Sequence, residues 1–447
     1  MAKSLIVSQL VYLMAAISID RKSLDLIQSH IMKFLWRGRP PKVAKSTLYQ
    51  DIEHGGLKCP DVSALHRAHR IAWLGRMCKY RDLAFAKVFQ ARLRISMDDV
   101  ARMNYDKRWI DLKPVSTFYK DMLKWFRDTV PCKEPSEGKQ VRCQIMWNNV
   151  AIATQGALLS CQAAYNNDIR FIDDFLDRRG RWLSYESFKI KFPALRIDPL
   201  TYIRWARAVP MEWKRMVEHS LPMQPDERNG PGRIEINGRL VPIELVKTKF
   251  YYWHYISDCT PTAERRWQEQ GIDFGDNWGN IYSIPFSVTS STRLQSLQYR
   301  ILHRFFPTRR YLCIRKVVQD PFCNDCGEID AIQHFLIHCH EVRRFWDNLV
   351  GLINDKLPER HRLNLTDNTV IFGSLTAKKI VNFLILLAKQ YIVIQRAQEC
   401  NVSLTGFRIF LQKMFLMERC IAVKRQKMEL LLERWKYFVT ISGNFDL

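Results

Sequence analysis

Four residues in the last third of the chain, Cys323, Cys326, His334 and Cys339, follow the pattern Cys-x2-Cys-x7-His-x4-Cys. No other feature of the sequence constrains local folding as tightly. Two thiols two residues apart fit a tight turn that aims both sulfurs at one metal, and Gly327 supplies the bend after them. His334 and Cys339 lie a little over one helical turn apart, so a single short helix can present both. Four soft or borderline ligands with no open position indicate a structural Zn2+ rather than a catalytic one. The alternative is a set of buried cysteines acting as small apolar groups. Cys313, His338 and His340 are also near enough in sequence to replace one of the four. Bound zinc would contribute on the order of 10 kcal/mol to folding a segment with so little core of its own.

The surrounding chain reads as mostly α: a multi-module helical protein with one short β-hairpin and this small zinc knuckle. Asp20 can cap a helix carrying Leu24, Ile27, Ile31, Phe34 and Leu35 inward, stopped by Gly38 and Pro40-Pro41. Gly55-Gly56 forces a turn, and Asp61 can cap the next helix. That helix is expected to bury Leu65, Ala68, Ile71 and Ala72 and to turn His66, Arg67 and Arg70 to solvent. Asn237-Gly238, between Ile234-Glu235-Ile236 and Arg239-Leu240-Val241, predicts a two-residue hairpin. Two Pro/Gly-rich stretches, Pro131–Gln140 and Pro222–Arg233, read as linkers, the second as the better domain boundary. Trp205 and Trp213, at helical spacing, read as core.

Charge narrows the function. The chain of 447 residues carries 69 Lys+Arg against 45 Asp+Glu, a formal net charge of +24. That surplus is spread through apolar sequence, so it belongs to folded surface facing a polyanion, nucleic acid before acidic membrane. The apolar run Ile380–Ile394 is broken by Asn382, Lys389 and Gln390, short of the roughly 18 residues a membrane span needs. The start, Met1-Ala2-Lys3-Ser4-Leu5, offers no small-residue cleavage site, which argues against secretion. Twelve scattered cysteines fit a reducing compartment better than a disulfide framework. Between Thr289 and Gln319 there are seven basic residues and no acidic one. These are Arg293, Arg300, Arg304, Arg309, Arg310, Arg315 and Lys316. On a helix starting near Thr292 and ended by Pro307, Arg293, Arg300 and Arg304 flank an apolar stripe of Leu294, Leu297, Ile301 and Phe305. Tyr299 and His303 would then offer stacking surfaces, an arrangement suited to single-stranded nucleic acid.

Phe171-Ile172-Asp173-Asp174 has the form of the aromatic-x-Asp-Asp motif of reverse transcriptases, in which paired carboxylates hold two metals. That motif needs apolar strands on both sides. Here the spacing of Ile169, Ile172, Phe175 and Leu176 predicts a surface helix from about Asn167 to Gly180. Other signatures are absent from the sequence: no phosphate-binding Gly-rich loop, no His-Glu-x-x-His, no Gly-x-Ser-x-Gly.

An ordered series of blocks resembles the C-terminal part of LINE-type non-LTR retrotransposon polyproteins. It begins with Phe34-Leu35-Trp36-Arg37-Gly38 and Glu53-His54-Gly55-Gly56-Leu57-Lys58-Cys59-Pro60-Asp61. It continues through Trp147-Asn148-Asn149, Ile172-Asp173-Asp174-Phe175-Leu176-Asp177 and Gln298-Tyr299-Arg300-Ile301-Leu302-His303-Arg304. It closes with the Cys-Cys-His-Cys knuckle, Phe345-Trp346, Ile371-Phe372-Gly373 and Leu386-Leu387-Ala388-Lys389-Gln390-Tyr391-Ile392. The resemblance implies a thumb-like helical region over 1–90 and a helical linking region over 91–222. It implies a C-terminal region over 234–447, with the knuckle at about 323–339 and a helical tail. In such proteins the endonuclease, fingers and palm precede the thumb, so the resemblance implies a chain without polymerase activity, and Asp173 and Asp174 would have no metal role. The implied partners are RNA and/or DNA, with a catalytic reverse transcriptase acting in trans as a further one. Neither membrane nor small-molecule substrate is expected, and the setting is intracellular, cytoplasmic or nuclear. Arg37, Arg39, Lys42 and Lys45 are the candidates for contact between thumb and template–primer duplex. A helical protein-interaction scaffold and an active polymerase using Asp173 and Asp174 are the competing readings.

Overall fold

The structure, a computed structural model, describes residues 8–154, 157–256, 259–356, 365–377, 379–433 and 435. The apolar start Met1–Leu5 lies outside them. The architecture is mostly α. Among the described residues the sheets are two antiparallel pairs, Arg233–Ile236 with Arg239–Pro242 and a two-residue pair, Ala153–Thr154 with Ala157–Leu158. The first is the expected hairpin: Ile236 faces Arg239, and Asn237 and Gly238 both take positive φ, 50° and 75°, as a type I′ turn requires.

The chain divides into two compact units. One comprises Met1–Arg39 and Pro60–Ser257, the other Pro40–Cys59 and Asp258–Leu447. The stretch Pro222–Arg233, expected to be a boundary, lies inside the first unit. Its Pro and Gly residues mark irregular backbone that is nonetheless docked. The Arg102 guanidinium donates to the carbonyls of Arg228 (3.1 Å), Gly230 (2.6 Å) and Pro231 (3.2 Å), and Gly232 N donates to Asp98 Oδ1 (2.9 Å). Pro131–Gln140 likewise runs within this unit, into the short helix Gly138–Arg142.

In the first unit, the helix Arg21–Leu35 is capped by Asp20, whose carboxylate accepts from Ser23 N (3.0 Å). Its buried stripe is Leu24, Gln28, Ile31 and Met32, with Phe34 52% and Leu35 38% exposed, so the last turn does not continue the buried face. The helix Val62–Lys79 is capped by Asp61 as the sequence implies, through Ala64 N (2.9 Å). It is covered on nearly every side, and here the expected solvent face fails: of His66, Arg67 and Arg70, only Arg67 is exposed. Arg70 is buried because acceptors converge on it. Its guanidinium donates to the Ile17 carbonyl and to Ser18 Oγ (3.2 Å) and lies 3.7 Å over the Phe118 ring. Those interactions replace the water it loses.

A second core in this unit gathers Trp147, Ile172, Phe175, Phe188, Tyr202, Trp205, Trp213 and Val217. The surface helix expected over 167–180 is not formed. Phe171 pairs with Ile145, a 3-10 turn covers Ile172–Phe175, and Leu176 pairs with Trp182. Ile172 and Phe175 are buried, and Asp174 closes the turn by accepting from Arg170 N (2.7 Å) and Phe171 N (2.8 Å). The apolar spacing that suggested a helix is met by a compact loop seated in the core.

The second unit is built around the helix Lys379–Ala397, of which Val381 to Ile392 are buried. By length and composition it is the one described helix apolar enough to cross a membrane, and 67% of its most apolar window is buried inside the protein. Its polar residues are accommodated: Asn382 exchanges hydrogen bonds with the Ser374 backbone (2.8 Å each). Lys389 Nζ donates to Gln298 Oε1 (2.6 Å) and to the Ile371 carbonyl (3.3 Å). The 40–59 segment joins this unit through its glycine turn. Gly55 has φ 72°, and a Cβ on Gly56 would fall 2.0 Å from the Gln50 carbonyl oxygen, so neither site accepts a side chain.

Lys389 carries a pH prediction. It is 1% exposed and has no carboxylate partner among the described residues, and burial pushes its pKa down to about 7. Between about 7 and the unfolded value of 10.5 the unfolded chain holds the extra proton, so stability rises with pH across that window. Urea unfolding at pH 6, 7.5 and 9 should therefore show a gain of about 3 kcal/mol from the lowest to the highest pH that Lys389→Met lacks. Parallel pH profiles for the two proteins would contradict this.

Candidate metal centre

The knuckle forms as a tight turn followed by a widened helical turn. Phe322 and Ile329 form a β-bridge, Cys323 N donates to the Glu328 carbonyl (2.7 Å) and Gly327 N to the Cys323 carbonyl (3.0 Å). Gly327 takes φ 77°, which permits the reversal between Cys326 and Glu328. Residues five apart on a regular α-helix point about 140° away from each other. His334–His338 is instead a π-turn, closed by Cys339 N donating to the His334 carbonyl (3.0 Å). The wider turn brings His334 and Cys339 to one side.

The result is a Cys3His group whose four donor atoms lie within 4.8 Å of one another and could hold a metal ion. Cys323 Sγ and Cys339 Sγ are 4.0 Å apart, and Cys326 Sγ and His334 Nε2 are 3.3 Å apart. A tetrahedral ion with metal–sulfur bonds of about 2.3 Å and a metal–nitrogen bond of about 2.0 Å needs edges of about 3.5–3.8 Å, so the donors fit after small adjustments. Cys323, His334 and Cys339 are buried and Cys326 is exposed. Burial pushes the Cys339 thiol up to about 12, with the neighbouring cysteines adding to it, and burial also raises Cys326. A divalent cation reverses that preference and holds the sulfurs as thiolates.

Two residues with no signal in the sequence complete the site. Glu328 Oε2 lies 3.2 Å from His334 Nδ1, which turns Nε2 toward the sulfurs. Arg396, from the central helix, donates through Nη2 to Cys323 Sγ (2.9 Å) and through Nη1 to the Phe335 carbonyl (3.2 Å), stacked 4.3 Å over the Phe335 ring. Arg396 also pairs with Asp325 (3.4 Å) and Asp330 (3.8 Å), so its charge is shared between two carboxylates and the Cys323 sulfur. The possible substitutes are engaged elsewhere: Cys313 with the Gln319 carbonyl (3.6 Å), His338 with Asp367 (2.6 Å) and His340 with Glu341 (3.5 Å).

The basic residues of 289–319 divide into two groups. The helix Thr292–Leu302 buries Leu294, Leu297 and Ile301 and ends five residues before Pro307. Tyr299 and His303 are 7% and 8% exposed and pack on each other with ring centroids 4.1 Å apart, so they are core groups and not stacking platforms. Burial lowers the His303 pKa to about 4. Arg304 donates to the Arg266 carbonyl (2.8 Å) and to Gln270 (2.9 Å) and lies 4.2 Å over Trp267. Arg309 pairs with Asp320 (2.8 Å), the first acidic residue beyond the stretch. Arg300 is half-buried, while Arg293, Arg310, Arg315 and Lys316 are exposed. Arg37 and Arg39 are exposed in the first unit; Lys45 is exposed and Lys42 half-exposed in the second.

Asp173 and Asp174 are both engaged by arginines. Arg142, itself 1% exposed, reaches Asp173 Oδ1 (2.6 Å), and Arg228 reaches Asp174 Oδ1 (2.7 Å). No family model and no curated protein sequence matches the chain.

Proposed function

We propose that this protein binds nucleic acid without catalysing a reaction on it, as the part of a LINE-type reverse transcriptase that follows the palm, and that Cys323, Cys326, His334 and Cys339 hold one structural Zn2+. The observation that carries the reading is the closed Cys3His group, with four donors and the Arg396 guanidinium donating to Cys323 Sγ. When bound, zinc would fix the knuckle's fold and leave no coordination position for a reacting water. The exposed basic residues Arg293, Arg310, Arg315 and Lys316, with Arg37, Arg39, Lys42 and Lys45, are the proposed phosphate contacts, and RNA and/or DNA the ligand. Arg300, Arg304 and Arg309 would contribute less, being partly buried or paired. A catalytic partner in trans and an intracellular setting, cytoplasmic or nuclear, follow from the same reading. The arginines held against Asp173 and Asp174 favour it over a polymerase built on that pair.

Fluorescence anisotropy with single-stranded RNA across salt concentrations tests the proposal. Contact with about six phosphates gives a log–log slope near −4 to −5. A flat salt response would instead support a protein-interaction scaffold, which the internal roles of Tyr299 and His303 also fit.

A further inference from the structure

A further positive surface lies in the first unit, on residues distinct from those proposed above. Residues 178–217 hold ten Lys and Arg against three Asp and Glu. They form a loop and three short helices, Tyr185–Lys191, Pro199–Ala208 and Met211–Val217, folded over the core of Phe175, Tyr202, Trp205 and Trp213. Trp205 and Tyr202 face that core, which leaves Leu200, Ile203, Arg204 and Arg207 on the outer stripe at helical spacing.

Several contacts join these elements into one face. Tyr202 Oη donates to the Leu183 carbonyl (2.6 Å), and Lys214 Nζ lies 5.5 Å over the Trp182 ring. His219 N donates to the Arg179 carbonyl (3.0 Å), and Arg207 is near enough to depress the Lys214 pKa, after burial. Arg178, Arg179, Arg204, Arg207 and Arg215 are exposed, and none has an ion-pair partner among the described residues. Arg181 alone of the loop is paired, with Asp177 (2.9 Å). Of the acids, Asp198 is occupied in capping its helix through Thr201, while Glu186 and Glu212 are exposed.

We infer that this face, with Arg178, Arg179, Arg204 and Arg207 at its centre, is a second site for the phosphate backbone of a nucleic acid. Five like-charged guanidinium groups without partners are poised for an extended polyanion, and Arg is the side chain whose planar fork matches phosphate oxygens. On the helix Pro199–Ala208 the exposed Leu200 and Ile203 share their stripe with Arg204 and Arg207, unlike the segregated apolar face of a helix that enters a membrane interface; Ile190 and Met211 are exposed on the neighbouring helices, so vesicles are one arm of the test. The inference rests on the nucleic-acid reading for its ligand class but on different residues.

The test compares the full chain, the quadruple variant Arg178→Gln/Arg179→Gln/Arg204→Gln/Arg207→Gln, and the variant Arg293→Gln/Arg310→Gln/Arg315→Gln/Lys316→Gln. The probes are a fluorescein-labelled oligouridylate at several salt concentrations and phosphatidylserine vesicles. Losing four phosphate contacts should flatten the log–log salt slope by about 3. The melting temperature and zinc content of the first variant should stay at parental values. If the parent binds RNA and only the second variant loses slope, this site falls and the proposed function stands. If the parent binds vesicles and not RNA, or binds neither, both readings fall.

Discussion

Replacing Cys323 by Ser, or removing metal with a strong chelator, is expected to abolish zinc binding and to unfold the 321–340 segment. Metal binding by such a site is worth on the order of 10 kcal/mol at neutral pH, more than the backbone hydrogen bonds of its turn supply on their own. The loss would spread, because Cys323, Leu336, Ile337 and Cys339 are part of the core that includes Phe345, Trp346 and the Lys379–Ala397 helix. Hydrogen exchange should show protection lost over the knuckle and reduced along those helices, and elemental analysis should fall from one zinc per chain to none. Cys313→Ser and His338→Ala should retain the metal, since those side chains lie outside the donor group. A Cys323→Ser protein with full zinc content would remove the site. Arg396→Gln is a milder version of the same experiment: the donors remain, Cys323 Sγ loses the guanidinium that donates to it, and weaker zinc affinity is expected with the fold retained.

The second large effect is in the first unit, and it also bears on the polymerase reading. Asp173→Ala leaves the Arg142 guanidinium in a site that is 1% exposed, retaining only its bonds to the Ser220 hydroxyl and carbonyl and the Asp177 carbonyl. Asp174→Ala removes the acceptor for two backbone N–H groups and for Arg228. Asp173→Ala is expected to cost about 3–5 kcal/mol in urea unfolding, the usual penalty for a buried charge that loses its partner. Asp174→Ala is expected to cost about 2–4 kcal/mol, because two backbone N–H groups lose their acceptor while Arg228 keeps Asp168 (3.2 Å). Replacing both members of a pair, as in Arg142→Met/Asp173→Leu, should cost much less than either single change. Single-variant losses below about 1 kcal/mol would mean the carboxylates are not structural. Magnesium-dependent primer extension abolished by Asp173→Ala at full stability would restore the polymerase reading.

Much of the local structure was legible. Asp20 and Asp61 cap the helices that directly follow them, because a carboxylate that meets the N3 amide needs only its neighbours in sequence. Asn237-Gly238 makes its hairpin because those two residues tolerate positive φ. The four metal donors come together for a related reason: both halves of the site are turns, and the 323–339 segment returns on itself. Burial was much less legible. Polarity alone places His66 and Arg70 in solvent, yet several elements cover their helix, and backbone carbonyls and an aromatic ring receive the guanidinium. The helical spacing offers Tyr299 and His303 as stacking surfaces for bases, yet the second unit closes over them. The spacing of Ile169, Ile172, Phe175 and Leu176 satisfied a helix and equally a loop pressed into a core, and the aspartate bonds to Arg170 N and Phe171 N favoured the loop.

By itself, the sequence determined what short-range geometry can determine: a mostly helical chain, its caps and hairpin, and the Cys323, Cys326, His334, Cys339 donor group. Only the tertiary structure decided which charges face solvent. It placed Arg396 beside Cys323 from 73 residues away, tied Arg304 and Arg309 into the fold, and left Arg178, Arg179, Arg204 and Arg207 exposed with no ion-pair partner among the described residues. The reason is that a charged side chain is stabilised by whatever acceptors the whole chain brings to it, and spacing along the sequence carries no record of which distant groups those will be.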